Sequence, residues 1–224
     1  MAIVDSRIVG QSRSTKIFYA FVRGLVVGIC RSYLRLRVVG LENVPREGSF
    51  VFAPTHRSTI DIPVASAATR RRMRFMGKDS IWKYKPIGKI MTGLGAFPVT
   101  RGSADLEALK RCIAIVQSGE PLVMFPEGTR HYGPEVQPLF DGAAYIALKT
   151  GVPIVPAAIA GTEDVMRSGS KAIRFKKCRM VIGKPIAADV PGGGRASREQ
   201  IGDLTVQLQN ELQRLLDEAN RLIN

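Results

Sequence analysis

The chain has 224 residues, 45% of them apolar and only 7% aromatic, which is enough for one domain with a sizeable aliphatic core. With 33 Lys and Arg against 19 Asp and Glu, the net charge is +14, and a balance this basic calls for an anionic partner: nucleic acid, a phospholipid surface or a phosphate-bearing substrate. Three widely spaced cysteines, Cys30, Cys112 and Cys178, exclude a disulfide framework and a cysteine metal site, and fit free thiols in a reducing compartment.

No cleavable leader is expected at the start of the chain, and no stretch reaches the ~20 apolar residues of a spanning helix. Residues 16–37 come nearest, but Arg23 interrupts them and Arg31, Arg35 and Arg37 follow. Apolar side chains mixed with arginines predict an amphipathic helix in the bilayer interface, with arginine stems reaching toward phosphates. An ordinary helix packed on the domain is the plainer alternative. The expected organisation is therefore an interfacial helical segment over 1–38 and an α/β domain over 39–224.

Leu36–Val39 reads as a short strand, 40–48 as a turn-rich link, and Phe50–Ala53 as a buried strand ending at Pro54. The helix after Asp61 is expected to end near Thr69, before the arginines at 70, 71, 72 and 74. These could seat the protein on anionic lipid or simply form a solvated face. Met73–Gly77 suggests a strand with Lys78 at its end, and residues 84–93 a helix with Pro86 in its first turn. Gly95–Thr100 reads as an edge strand, because Pro98 cannot donate to a central ladder. Ser103 opens a helix that Gly119 ends; Leu106, Leu109, Cys112, Ile113 and Val116 follow helical spacing. Pro121–Phe125 and Val152–Ile159 are apolar strands flanking a helix over Asp141–Lys149, which Gly151 stops. Residues 173–182 suggest one long strand or a pair, 189–197 a loop, and 198–223 an amphipathic helix with Ile201, Leu204, Leu208, Leu212, Leu215 and Leu222 on one face. Strands alternating with helices indicate an α/β fold: a central, mostly parallel sheet flanked by helices.

Three polar clusters follow three of these strands. The first is Thr55-His56-Arg57-Ser58-Thr59-Ile60-Asp61, the second Val99-Thr100-Arg101, the third Phe125-Pro126-Glu127-Gly128-Thr129-Arg130. If the strands are neighbours, their ends converge on one site, where α/β proteins place their chemistry. A His–Asp pair alone is a weak signal, since a carboxylate at a helix start is a common cap. Glu, Thr and Arg at a strand end, beside a glycine that permits close backbone approach, raise the odds.

These blocks, with Val152-Pro153-Ile154-Val155-Pro156, resemble in order the four motifs of the glycerolipid acyltransferases, closest to the bacterial 1-acyl-sn-glycerol-3-phosphate acyltransferases. The resemblance spans residues 56–156. It implies acyl transfer from a thioester, acyl-CoA or acyl carrier protein, to a glycerol hydroxyl, with no other cofactor and no metal. His56 would be the base and Asp61 its orienting partner. A hydroxyl needs a base as it attacks, and neutral imidazole suits that task. The substrate hydroxyl replaces the serine of a protease triad, so no acyl-enzyme is required. Arg101 and Arg130 match the family's acceptor-binding positions, and Lys78 is a looser candidate. Glu127 is expected to orient Arg101 or the acceptor, a structural ion pair being the plainer alternative, with Gly128 and Thr129 in the same binding motif. Backbone N–H groups near Gly128, or those of Arg57 and Ser58, are candidate oxyanion donors.

The expected acceptor is 1-acyl-glycerol-3-phosphate, acylated at sn-2 to phosphatidic acid. Another lysophospholipid, or a lipid-binding protein without catalysis, are the alternatives. Thr55, Thr100 and Asp141 depart from residues frequent in the family and bear on acceptor identity. A lipid substrate implies a membrane partner rich in anionic lipid and a peripheral or monotopic place on the cytoplasmic face. The basic segment 171–179 could serve the membrane, CoA phosphates or an acidic carrier. Nucleic acid is not expected as a partner, because no binding module is present and the basic residues are not interleaved with aromatics.

Overall fold

The computed structural model describes residues 13–99, 106–166, 172–190 and 195–223. Seven strands form one sheet: β1 (Arg37–Val39), β2 (Val51–Pro54), β3 (Arg74–Lys78), β4 (Ala96–Val99), β5 (Leu122–Val123), β6 (Ile154–Ala160) and β7 (Arg179–Ile182). Their order is β1-β7-β6-β2-β5-β3-β4. The five strands from β6 to β4 are mutually parallel. β7 runs antiparallel to β6, and β1 runs parallel to β7. The sheet is thus mostly parallel, with a reversed pair on one side. β4, carrying Pro98, is the edge strand its proline required.

Alternation along the strands sends side chains into two cores. Val51, Ala53, Ile154, Ala158 and Ala160 face the helices α4 (Leu106–Gln117), α5 (Gly142–Thr150) and α7 (Arg198–Ile223). Phe50, Phe52, Val155, Ala157 and Ile159 face α1 (Arg13–Tyr33) and α2 (Asp61–Ala65). Strands buried on both faces read as continuous apolar runs, which is how β2 and β6 announce themselves. α1 buries Tyr19, Val27 and Cys30, and packs on α2 and on α3 (Lys85–Gly93). No helix among the described residues is long and apolar enough to cross a membrane. All three cysteines are buried, and none is in a disulfide.

Several elements differ from expectation. Of residues 173–182, only Arg179–Ile182 form a strand. Residues 172–177 lie exposed across the end of α1, where the Arg174 N–H donates to the Val165 carbonyl instead of to a sheet neighbour. A short helix, α6 (Thr162–Val165), follows β6 and had no sequence signal. The start expected at Ser103, and the glycines 192–194, lie outside the described residues. Most of the arginine cluster 70–74 is tied into the fold. Arg72 and Arg74 pair with Glu120, and Arg71 donates to the carbonyls of Pro45 and Gly48. Arg74 is buried, and only Arg70 of the four is exposed. The cluster precedes β3, so it sits at the sheet edge opposite Lys78.

Candidate active site

Parallel strands put all their C-terminal ends on one edge. β2, β5, β3 and β4 are consecutive neighbours, so their ends span roughly 15 Å at about 4.8 Å per strand. His56 follows β2, Glu127 to Arg130 follow β5, Lys78 ends β3, and Val99 ends β4. The topology therefore brings the first and third clusters to one sheet edge, with Lys78 and the end of the strand that precedes the second cluster. Thr100 and Arg101 lie outside the described residues. Lys78 is exposed at its strand end.

His56 Nδ1 lies 2.9 Å from Asp61 Oδ2. The same oxygen accepts the Arg57 and Ser58 backbone N–H groups, and Oδ1 accepts the hydroxyl of Thr162. Four donors converge on a carboxylate that is fully buried, which fixes it in place. A carboxylate can only accept, so the imidazole proton sits on Nδ1 and the lone pair sits on Nε2. The His56 side chain keeps 12% exposure while Asp61 has none, so the basic nitrogen belongs to the accessible end of the pair. The Phe125 ring stacks on the imidazole, centroids 4.1 Å apart and planes 25° apart, and restrains its rotation.

The third block holds the first. Glu127 is 2% exposed, its Oε1 accepts the His56 N–H at 2.8 Å, and its Oε2 accepts the Gln137 N–H at 3.2 Å. The His131 N–H donates to the His56 carbonyl at 2.9 Å. Both main-chain polar groups of the histidine are thus clamped by the segment after β5. Among the described residues the contacts of the Glu127 carboxylate lie inside the loop, on the His56 and Gln137 N–H groups and beside Arg57; Arg101, which it was expected to orient, lies outside them. The Arg57 guanidinium is fully buried, with Nη2 3.9 Å from Glu127 Oε2 and 3.1 Å from the Glu135 carbonyl.

Gly128 adopts φ +70°, and a Cβ there would come within 2.6 Å of the Phe140 ring, so the tight turn after Glu127 needs a glycine. Its N–H donates to the Phe125 carbonyl, and the Thr129 N–H to the Glu127 carbonyl. The Arg57 and Ser58 N–H groups belong to Asp61. The N–H groups of Gly128, Thr129, Arg57 and Ser58, all among the expected oxyanion donors, thus each have an acceptor within the fold. Thr129 is exposed, its hydroxyl 3.0 Å from His131 Nε2. Arg130 is exposed, and its Nη1 donates to the Thr59 hydroxyl at 2.8 Å, which binds the third block's arginine to the first block's loop.

Thr162 and Phe125 are site residues that sequence reasoning missed. Thr162 follows the end of β6, the strand on the other flank of β2, and nothing in Ala160-Gly161-Thr162 signals a carboxylate partner. Phe125 had a signal, since it opens the third block, but it read as part of the strand.

Behind Asp61, burial raises the Glu163 carboxyl above its ordinary value of 4.5, and Asp61 adds to the rise while Arg57 opposes it. A carboxyl whose folded pKa is raised binds more protons in the folded chain, so stability falls as pH climbs from the unfolded pKa through the folded one. Above that window the penalty is complete. Glu163→Gln is therefore expected to be more stable than the parent at pH 8, with the gap closing near pH 4, as read by denaturant melts at the two pH values. A gap of equal size at both would remove the electrostatic account. Burial likewise pushes the Cys178 thiol up to about 12, which leaves it protonated and unreactive.

A family model described as Acyltransferase matches residues 35–160, more than half of the chain and all the blocks described above. The chain belongs to this acyltransferase family. It is 33% identical over 179 residues to a chloroplastic 1-acyl-sn-glycerol-3-phosphate acyltransferase of Brassica napus, covering 78% of this chain and 52% of the relative. It is 30% identical over 192 residues to the 1-acyl-sn-glycerol-3-phosphate acyltransferase of Bacillus subtilis (strain 168), covering 84% of this chain and 91% of the relative. The acyltransferase chain thus spans about half the length of the plant relative and most of the bacterial one. The crystal structure of the 1-acyl-sn-glycerophosphate acyltransferase from Thermotoga maritima has the same fold, with a TM-score of 0.74, 24% identity, and coverage of 93% of this chain and 83% of that one.

Proposed function

We propose that the chain transfers an acyl group from a thioester to the sn-2 hydroxyl of 1-acyl-glycerol-3-phosphate, giving phosphatidic acid. The observation that carries this reading is the buried His56–Asp61 pair, whose tautomer leaves Nε2 basic on the sheet edge that also bears Arg130 and Lys78. The acceptor hydroxyl loses its proton to Nε2 as its oxygen attacks the thioester carbonyl. The tetrahedral intermediate then expels the thiolate, and the imidazolium returns the proton to the leaving sulfur. Asp61 holds the ring throughout and stabilises the transient imidazolium.

The acceptor phosphate is assigned to Arg130 and Arg101, with Lys78 in support, because guanidinium forks match phosphate oxygens. A nearly wholly apolar cavity of about 220 Å³ suits an acyl chain. Val22 and Val26 of α1, Ile62 of α2, Phe75 of β3, and Met91 and Leu94 around α3 line it. Ile62, one of its lining residues, directly follows Asp61 in the chain. The donor is acyl-CoA or acyl carrier protein. The membrane reading rests on α1, where Ile17, Phe21, Leu25 and Ile29 are each more than half exposed. A helix with an apolar outer stripe and basic neighbours lies in a bilayer interface, here assigned to the cytoplasmic face.

An acceptor panel tests the proposal. Purified protein is offered one acyl donor, as CoA or carrier-protein thioester, with lysophosphatidate, other lysophospholipids and glycerol 3-phosphate, and products are read by mass. Phosphatidic acid is expected to dominate. Free fatty acid without acyl transfer, or a preference for a phosphate-free acceptor, would overturn it.

A further inference from the structure

Residues 172–177 carry two apolar side chains where a water-facing segment has no use for them: Ile173 is 53% exposed and Phe175 is 51% exposed. The segment is held firmly. The Arg174 N–H donates to the Val165 carbonyl at 2.8 Å, and the Cys178 N–H donates to the Leu34 carbonyl at 2.9 Å. The Tyr33 hydroxyl reaches the Ile173 carbonyl at 3.4 Å. The Phe175 ring meets the Tyr33 ring edge-on, centroids 5.2 Å apart, and the Arg35 guanidinium lies 4.8 Å from its centroid. Arg35 makes that contact from φ +45°, the only positive φ of a non-glycine among the described residues, with its carbonyl bound by Arg179. Backbone strain of this kind persists only where surrounding contacts over-determine it. Here those contacts present a phenylalanine outward.

The surroundings say what it is presented to. Tyr33 is the last residue of the outer stripe of α1, which also exposes Phe18, Phe21, Leu25 and Ile29, so stripe and segment are one continuous apolar surface. Its flanks are basic: Arg31, Arg35, Arg174, Lys176 and Lys177 are exposed. No Asp or Glu occurs in residues 13–41 or 172–178. Exposed apolar side chains inside a ring of cations, with no anion among them, complement an anionic phospholipid surface. The segment also joins α6, whose first residue, Thr162, holds Asp61, so this surface lies on the active-site side of the sheet.

We propose that residues 172–177 are a second membrane-docking element. With the outer stripe of α1 they form a single face for an anionic bilayer. Ile173 and Phe175 enter the boundary between headgroups and acyl chains, and Arg35, Arg174, Lys176 and Lys177 meet lipid phosphates. This deepens the membrane reading above, and its test does not use catalysis.

The experiment is co-sedimentation of the full chain with phosphatidylcholine vesicles, with and without phosphatidylglycerol. Ile173→Ser/Phe175→Ser is expected to lower partitioning onto the anionic vesicles roughly 10-fold or more, from the loss of two apolar insertions. Arg174→Glu/Lys176→Glu, which leaves the apolar pair and the backbone ties in place, is expected to remove most of the dependence on phosphatidylglycerol. Val206→Ser, an exposed apolar residue on α7, should bind like the parent. Unchanged vesicle binding in both double variants would overturn the proposal. So would a change confined to oligomeric state in sedimentation velocity, which would make the face a contact between protein copies. Loss of binding with no acyl transfer in any variant would leave this proposal standing and remove the catalytic one.

Discussion

Replacing His56 by alanine is expected to lower acyl transfer by about 100- to 10,000-fold while the protein still folds. The rate effect follows from the acceptor: an alcohol attacking a thioester must shed its proton, and Nε2 of His56 is the nitrogen the Asp61 contact leaves available for it. The fold survives because the structural work of this residue is done by its backbone. The His56 N–H still meets Glu127, and its carbonyl still accepts from His131. Asp61 loses one donor but keeps the Arg57 and Ser58 N–H groups and the Thr162 hydroxyl, so no bare buried charge results. Initial rates with a saturating acyl donor, beside a thermal melt of the same preparation, check both halves. Full activity in the variant would remove the mechanism; an unfolded variant would remove the division of labour between ring and backbone.

Much of this arrangement was legible before any coordinates. The helix over 198–223 has the bounds its period suggests, and Leu204, Leu208, Leu212 and Leu215 are buried on one face, while Ile201 is half-buried and Leu222, near the helix end, is exposed. Pro98 marked an edge strand through the donor it lacks. The His56–Asp61 pairing and the convergence of the first and third blocks followed from strand–loop–helix junctions in a parallel sheet. What stayed illegible depends on who meets whom across the chain. Arg72 and Arg74 read as surface charge because Glu120, their partner, is more than 40 residues away. Thr162 lies 101 residues from Asp61, and a lone threonine carries no signature. The acceptors of the Gly128, Thr129, Arg57 and Ser58 N–H groups were illegible for the same reason: a backbone N–H looks free in sequence until the fold shows its acceptor. Residues 173–178 alternate well enough for a strand, but their donors go to α6 and the end of α1 rather than to a neighbouring strand.

Glu127 gives the other large expected effect, and it separates holding the catalytic residue from binding the acceptor. Glu127→Ala removes the acceptor of the His56 N–H, the acceptor of the Gln137 N–H, and the carboxylate beside the fully buried Arg57 guanidinium. Leaving a buried charge without its counter-charge costs about 3–5 kcal/mol, so a substantial loss of stability is expected. Glu127→Gln keeps one oxygen for a backbone donor and should restore part of that stability, but not the counter-charge. Because the lost contacts position the histidine rather than the acceptor, both variants should show a reduced kcat, while KM for the acceptor stays within about twofold. An arginine or carboxylate that gripped the acceptor would give the reverse: a raised KM, an intact fold, and a kcat near that of the parent. Steady-state kinetics on the glutamine variant, paired with a urea titration, distinguish the two. If stability is unchanged and only KM moves, the carboxylate reaches the acceptor after all, and the clamp on His56 is not what sets the rate.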